Sequence, residues 1–167
     1  MAADYVVRHG RDADLDECAE LAFLAEPERS PTDWRAALSL DVGHDEHRLV
    51  VAESGGAIVG YGRARLYEPA PGAPADAAPR GYYLTGVFVR DDCRRRGVAA
   101  ALTQARLDWI SARADEAWFF ANARNTASIE LHRPFGFEEV TRRFSFPGVT
   151  FGGGEGILFR LSLRRPS

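Results

Sequence analysis

YYLTGVFVRDDCRRRGVAAALTQARL, running from Tyr82 to Leu107, decides how the rest of the chain is arranged. From Tyr82 to Val89 the residues are almost continuously apolar, which predicts a strand buried on both faces. From Gly97 onward Val98, Ala101, Leu102, Ala105, Trp109 and Ile110 recur at helical spacing and predict an amphipathic helix. Thr103, Arg106, Asp108 and Arg113 fall on its other face and read as solvated. Between strand and helix stands a basic turn, Arg94-Arg95-Arg96-Gly97-Val98-Ala99. The helix therefore presents unpaired N–H groups and its positive dipole end beside arginines and a glycine. Such a turn suits a phosphate or pyrophosphate.

Beyond the helix, Ala117–Ala121 (AWFFA) reads as a second buried strand. A helix of this length between two strands predicts that they run parallel, as a right-handed β-α-β unit. Asn122 to Gly136 follows as a loop and short helix, with Asn125 as N-cap and Gly136 as its stop. Pro134 removes a backbone donor in the last turn, so that helix ends early or kinks. Phe137–Phe146 and Gly156–Leu163 read as closing strands joined by PGVTFGGGEG.

Before Tyr82, Pro69–Pro79 lacks periodicity and reads as an exposed, mobile loop that could border an acceptor. Leu49–Glu53 and Ile58–Tyr67 form a hairpin across Gly55-Gly56. Gly60 and Gly62 inside the second strand signal a bulge or a close backbone approach. Ser30, Pro31 and Asp33 open a short helix through Leu40, with Trp34 and Leu38 on its core face. Asp12 or Asp14 caps an earlier helix to about Ala25, with Leu15, Cys18, Ala19, Ala22 and Phe23 at helical spacing. Tyr5–Arg8 is an entry strand.

The 167 residues predict one domain over the whole chain with a single core. Apolar residues make up 46% and charged ones 27%, a globular balance. No apolar run approaches the ~20 residues of a membrane span, and the first residues carry no secretory apolar segment. The expectation is a cytoplasmic protein. A net charge of −3 argues against nucleic acid as a partner. Every basic residue is arginine, so any side-chain contact to a fixed anion must use a guanidinium fork. Cys18 and Cys93 lie far apart, which excludes a cysteine zinc site and argues against a disulfide framework; Cys93 reads as incidental.

The turn is neither nucleotide fingerprint. G-x-x-x-x-G-K-[ST] fails for want of the lysine, the hydroxyl and one glycine, and G-x-G-x-x-G is absent. What stands here is R-x-x-G-x-A. After the next strand comes Asn125-Thr126-Ala127-Ser128, then Leu131-His132, then Phe135-Gly136-Phe137. The order strand, R-x-x-G-x-A, helix, strand, N-x-x-S-x-x-L-H-x-x-x-G-F resembles the GCN5-related N-acetyltransferase (GNAT) superfamily over Tyr82 to Phe137. The resemblance implies an α/β (α+β) fold: a mixed, mostly antiparallel central sheet with a splayed parallel strand pair, flanked by about four helices.

It also implies a ligand and a reaction. The co-substrate would be acetyl-CoA, with no metal. Val87, Phe88 and Val89 would meet its pantetheine arm through backbone groups. Arg94, Arg95, Arg96, Gly97, Val98, Ala99 and Ala100 would hold the pyrophosphate, and Asn125 and Ser128 would contact the CoA arm. Acetyl transfer to an amine needs an N–H donor for the developing oxyanion, here at Phe88 or Val89. His132 stands where the family usually has a tyrosine acid; it would either shuttle a proton or pack against CoA. Tyr82 and Tyr83 are the alternative acids. Glu68 is the first candidate base, ahead of Asp91, Asp92 and Glu155, and a water chain could replace any of them.

The acceptor implied is a primary amine of a small molecule, aminoglycoside-like or polyamine. The alternatives are a protein or peptide N-terminus, or a CoA-binding sensor without turnover. A homodimer through the closing strands is compatible with their apolar content.

Overall fold

The computed structural model describes residues 4–152 and 154–164; both ends of the expected 1–167 domain, and residue 153 of the closing connection, lie outside them. The chain divides into two compact units, Met1–Arg65 with Leu84–Trp109 and Leu66–Tyr83 with Ile110–Ser167. Seven strands form a mixed sheet in the order β1-β2-β3-β4-β5-β7-β6, with β4 and β5 as its parallel pair. Four α-helices accompany it among the described residues.

The first unit holds β1 (Val6–His9), α1 (Leu15–Ala25), α2 (Pro31–Ser39), β2 (His47–Ser54) and most of β3 (Ala57–Tyr67). The turn between β2 and β3 is the expected two-residue loop. Ser54 pairs with Ala57, and Gly55 and Gly56 take φ of 58° and 82°, a left-handed pair that only glycine adopts cheaply. Ser30 caps α2 by accepting the Asp33 N–H at 3.1 Å. Asp14 does not cap α1 with its side chain; it accepts the Arg11 N–H at 2.8 Å and the Arg8 guanidinium, and α1 follows a 3-10 turn at Asp12–Asp14.

Alternation along β2 builds two cores from one strand. Leu49 and Val51 face Leu15, Cys18, Ala22, Trp34, Leu38 and Tyr61. Val50 and Ala52 face Val59, Val98 and Leu102, which brings in α3 (Val98–Ser111). Phe23, expected on the buried face of α1, stays on its exposed edge. The reading of α3 needs a larger correction: Thr103 and Arg106 are buried, at 0% and 1% exposure. The physical reason is Gly62, which leaves a space in β3 that the Arg106 side chain fills; a Cβ there would come within 2.8 Å of the Arg106 Nε.

The second unit holds the start of β4 (Gly81–Val89), β5 (Glu116–Asn122), α4 (Thr126–His132), β6 (Glu138–Thr141) and β7 (Gly156–Ser162). Tyr82 and Tyr83 pair in parallel with Ala117 and Trp118. β5 and β7 pair antiparallel along their whole length, Glu116 with Ser162 through Asn122 with Gly156. As Pro134 dictates, α4 stops at His132 and continues as a 3-10 turn, Arg133–Phe135, closed by Gly136 at φ 96°. The expected strand Phe137–Phe146 is reduced to Glu138–Thr141. Beyond it Phe144 and Phe146 turn into an aromatic cluster with Tyr67, Tyr83, Trp118 and Phe120. The Pro/Ala loop before β4 is not wholly exposed either. Ala78 is buried, its N–H donates to Ser145 O at 2.8 Å, and Ser145 N–H donates to Asp76 O at 2.9 Å.

Candidate functional site

The end of β4 is not covered on both faces as its apolar sequence suggests: Val87, Phe88 and Val89 are each half-buried. Apolar residues left partly open at a strand end are unusual enough to ask what meets them. Their backbone directions narrow the question. Arg90 N–H donates to Val59 O at 2.8 Å, and the Phe88 carbonyl lies against Gly60, where a Cβ would approach within 2.9 Å. Phe88 is therefore turned toward β3. Strand alternation sends the Val87 and Val89 N–H groups to the opposite edge, so Phe88 is the weaker of the two expected donors.

After β4 a 3-10 turn, Asp91–Cys93, leads into the arginines. Arg95 takes a left-handed φ of 63°, uncommon for a residue with a side chain, and Gly97 follows at 80°. The first bond of α3 runs from Ala101 N–H to Gly97 O at 2.9 Å. Gly97 has no side chain with which to cap, so the N–H groups of Val98, Ala99 and Ala100 precede the first helical bond without help from the N-cap. The guanidinium groups are on the surface. Arg94 pairs with Asp91 at 3.0 Å and Arg96 with Asp4 at 3.1 Å. Exposed pairs of this kind hold weakly and exchange readily for a stronger anion. The turn thus brings Arg94, Arg95, Arg96 and Gly97 to one helix N-terminus, as the sequence predicts. Cys93 is buried beside Val98, a packing residue.

The candidate acid–base groups are placed less favourably. His132 is buried, stacked on Phe119 with ring centroids 3.8 Å apart and edge-on to Phe137 at 5.6 Å. Its Nδ1 lies 2.7 Å from Ser128 O. A carbonyl only accepts, so Nδ1 carries the proton, and in the neutral ring Nε2 holds a lone pair and has no proton to give. Tyr83 is buried; its hydroxyl donates to Pro79 O at 2.7 Å, and burial pushes it well above the usual phenol range. A phenol shifted in that direction gives up its proton less readily, which makes Tyr83 a poorer acid. Tyr82 is half-buried.

Each expected base carries a guanidinium. Glu68 accepts from Arg80 at 2.7 Å, Glu155 from Arg142 at 2.7 Å and Asp91 from Arg94. Arg90, at 2.6 Å, holds the Asp92 carboxyl below its usual range. Asn125 Oδ1 accepts the Ser128 N–H at 3.1 Å, so these two residues meet as a helix cap. Among the described residues no group of three His, Cys, Asp or Glu side chains could hold a metal ion, and no helix is long and apolar enough to cross a membrane.

Sequence reasoning missed Arg106. Its guanidinium lies inside the first unit, donating to four backbone and side-chain oxygens. The signal that could have found it was Gly62, a glycine inside an otherwise well-formed strand whose missing side chain leaves the space that Arg106 fills.

With this geometry in hand, known proteins supply context. The model of the acetyltransferase (GNAT) family matches residues 13–137, well over half of the chain. An N-alpha-acetyltransferase of Sulfurisphaera tokodaii is 27% identical over 142 residues, 82% of this chain and 82% of that protein. An L-methionine sulfoximine/L-methionine sulfone acetyltransferase of Pseudomonas aeruginosa is 34% identical over 105 residues, 62% of this chain and 57% of that one. In fold, the chain is similar to yncA of Salmonella typhimurium, solved with its cofactor acetyl-CoA. The TM-score is 0.74 at 16% identity, covering 98% of this chain and 96% of that one.

Proposed function

Because the chain belongs to the acetyltransferase (GNAT) family, we propose that it transfers the acetyl group of acetyl-CoA to a primary amine, specifically the α-amino group of a small amino-acid-like molecule. One observation carries the cofactor half of this reading: the left-handed Arg95 and Gly97 that turn the end of β4 into the open N-terminus of α3. The N–H groups of Val98, Ala99 and Ala100 would hold the pyrophosphate together with the exposed Arg95, and with Arg94 and Arg96 re-aimed from their surface pairs. The N–H groups of Val87 and Val89 would meet the pantetheine arm, and one of them would donate to the oxygen on which charge develops. Acetyl-CoA itself, when bound, supplies the activated thioester.

The acceptor class follows from chemistry the two relatives share. Their names specify an N-alpha position and an amino-acid analogue, both α-amines. Neither of these two names specifies an aminoglycoside or a polyamine. The α-amine of a peptide N-terminus has an ordinary pKa of about 7.7–8.0, so roughly a tenth of it is neutral at pH 7; in a free amino-acid analogue the neighbouring carboxylate raises that pKa and leaves a smaller neutral share. Water can take its last proton, and the enzyme needs no dedicated base. That suits a chain whose candidate carboxylates, Glu68 among them, are surface groups in exposed pairs, with nothing in their surroundings that singles one out as a base. A second reading, acetylation of a peptide N-terminus, is favoured by the relative that matches four-fifths of the chain.

The test is thiol release from acetyl-CoA with L-methionine sulfone, a short unblocked peptide and a polyamine, from about pH 6 to 9.5. With the peptide the expected kcat/KM rises tenfold per pH unit and levels near pH 8, the pKa of its α-amine, and with L-methionine sulfone the same rise continues to a higher pH before it levels. Tight CoA binding with no release above background for any acceptor would identify a sensor and sink the proposal.

A further inference from the structure

Arg106 is 1% exposed and lies in the first unit beneath β3 and β4. Its Nε donates to Leu102 O at 3.2 Å and its Nη2 to Thr103 Oγ1 at 3.0 Å, while Thr103 itself donates to Ala99 O at 2.8 Å. Its Nη1 donates to two carbonyls, Arg63 O on β3 and Gly86 O on β4, each at 3.1 Å. Among the described residues it forms no ion pair with a carboxylate. Burial lowers its pKa to about 9, which still leaves it charged at neutral pH.

A buried cation held only by neutral groups is costly, and apolar side chains of similar volume usually serve a core as well or better. Yet the fold makes room for this one through Gly62, where any side chain would press on the guanidinium. A merely structural account leaves that expense without a return.

The return lies in one peptide unit. The Gly86 carbonyl and the Val87 N–H belong to the same planar amide and point in opposite directions. A guanidinium on the carbonyl fixes the plane. It also draws electron density toward oxygen, and so strengthens the N–H on the far side as a donor. We infer that Arg106 is a positioning residue: it locks and polarises the Gly86–Val87 amide, so that the Val87 N–H is presented as a strong donor to the reacting acetyl group. The catalytic role of that N–H rests on the reading under Proposed function; the polarised amide does not.

The experiment uses the full chain and Arg106→Met, which keeps length and removes charge. The Val87 amide proton, followed by NMR in the ligand-free protein, should move upfield in the variant. With L-methionine sulfone as acceptor, kcat should fall about tenfold, a part of the 10²–10³-fold that loss of an oxyanion donor costs, while KM for acetyl-CoA stays within about twofold, since pyrophosphate contacts are untouched. Arg106→Lys should restore neither fully, because an ammonium lacks the fork. If Arg106→Met does not fold, Gly62→Ala, which pushes the guanidinium aside, should give the same upfield shift. A folded variant with an unmoved Val87 amide overturns the inference, whatever its activity. If the native protein transfers nothing, the proposed function fails, and the amide shift still decides what Arg106 does.

Discussion

Helices α3 and α4 begin in opposite ways. α3 starts from Gly97, a left-handed residue with no side chain, and its first N–H groups face the arginine turn. α4 starts from Asn125, whose Oδ1 accepts the Ser128 N–H at 3.1 Å. Both helices have orphan donors, and both carry a partial positive charge at that end. The second closes its end with its own residue. The first leaves it open, at the end of a half-buried apolar strand and beside three guanidinium groups. A helix N-terminus becomes a candidate anion site when the sequence withholds the cap.

The most direct way to break this comparison is to close α3. Gly97→Asp puts a carboxylate at the N-cap, where it accepts the N–H groups and repels a pyrophosphate. Asp tolerates left-handed φ better than most residues, so the fold should survive. Each charge-assisted hydrogen bond is worth about 1.5–3 kcal/mol, so acetyl-CoA affinity measured by calorimetry should fall roughly 100-fold. The hydrogen bond gained at the N-cap offsets the strain of a side chain at this left-handed φ, so the melting temperature should stay close to that of the native protein. Unchanged affinity would show that the open N-terminus of α3 holds no anion.

Next in size is His132, at the other end of α4. Its Nδ1–H holds the Ser128 carbonyl in the same helix, and its ring stacks on Phe119. Both contacts are structural. His132→Ala should cost about 2–3 kcal/mol of stability through lost packing and a lost hydrogen bond. At a temperature where the variant stays folded, kcat and its pH profile should keep their native form. A thousandfold loss of kcat in folded protein would instead make the imidazole an acid and reopen the question of its tautomer.

How much of this was readable in the chain follows from where each signal resides. The order of strands and helices, the parallel β4–β5 pair, the Gly55-Gly56 hairpin and the caps Ser30 and Asn125 are local or periodic, and the sequence carries them. The arginine turn at the start of α3 was legible for the same reason, since its residues are consecutive. Arg106 was not. On a helical wheel an arginine beside Asp108 and Arg113 reads as surface, and only the absence of a side chain at Gly62, far away in sequence, makes a buried place for it. The surroundings of Tyr83 and Glu68 were hidden for a related reason: residue type names a chemistry, but the Pro79 carbonyl and Arg80 that meet those groups are visible only once the chain has folded. The strand expected over Phe137–Phe146 fell short because its aromatics found a cluster with Tyr67 and Phe120 more favourable than a ladder.

The smallest effect sharpens the comparison most, because it predicts a separation of two quantities. Asn125→Ala removes the cap of α4 and leaves the Ser128 N–H to solvent, which is available at this exposed end. Loss of an Asn cap costs about 1 kcal/mol. For a chain of this size that lowers the melting temperature by about 2–4 °C. If the α4 terminus is a structural end only, acetyl-CoA affinity should change by less than about twofold, well within the ~1.4 kcal/mol that a tenfold change requires. Gly97→Asp and Asn125→Ala would then form a crossed pair, one losing affinity with little loss of stability and the other the reverse. A tenfold loss of affinity in Asn125→Ala would break the separation, and would return to Asn125 the cofactor contact that its side chain, accepting the Ser128 N–H, does not require.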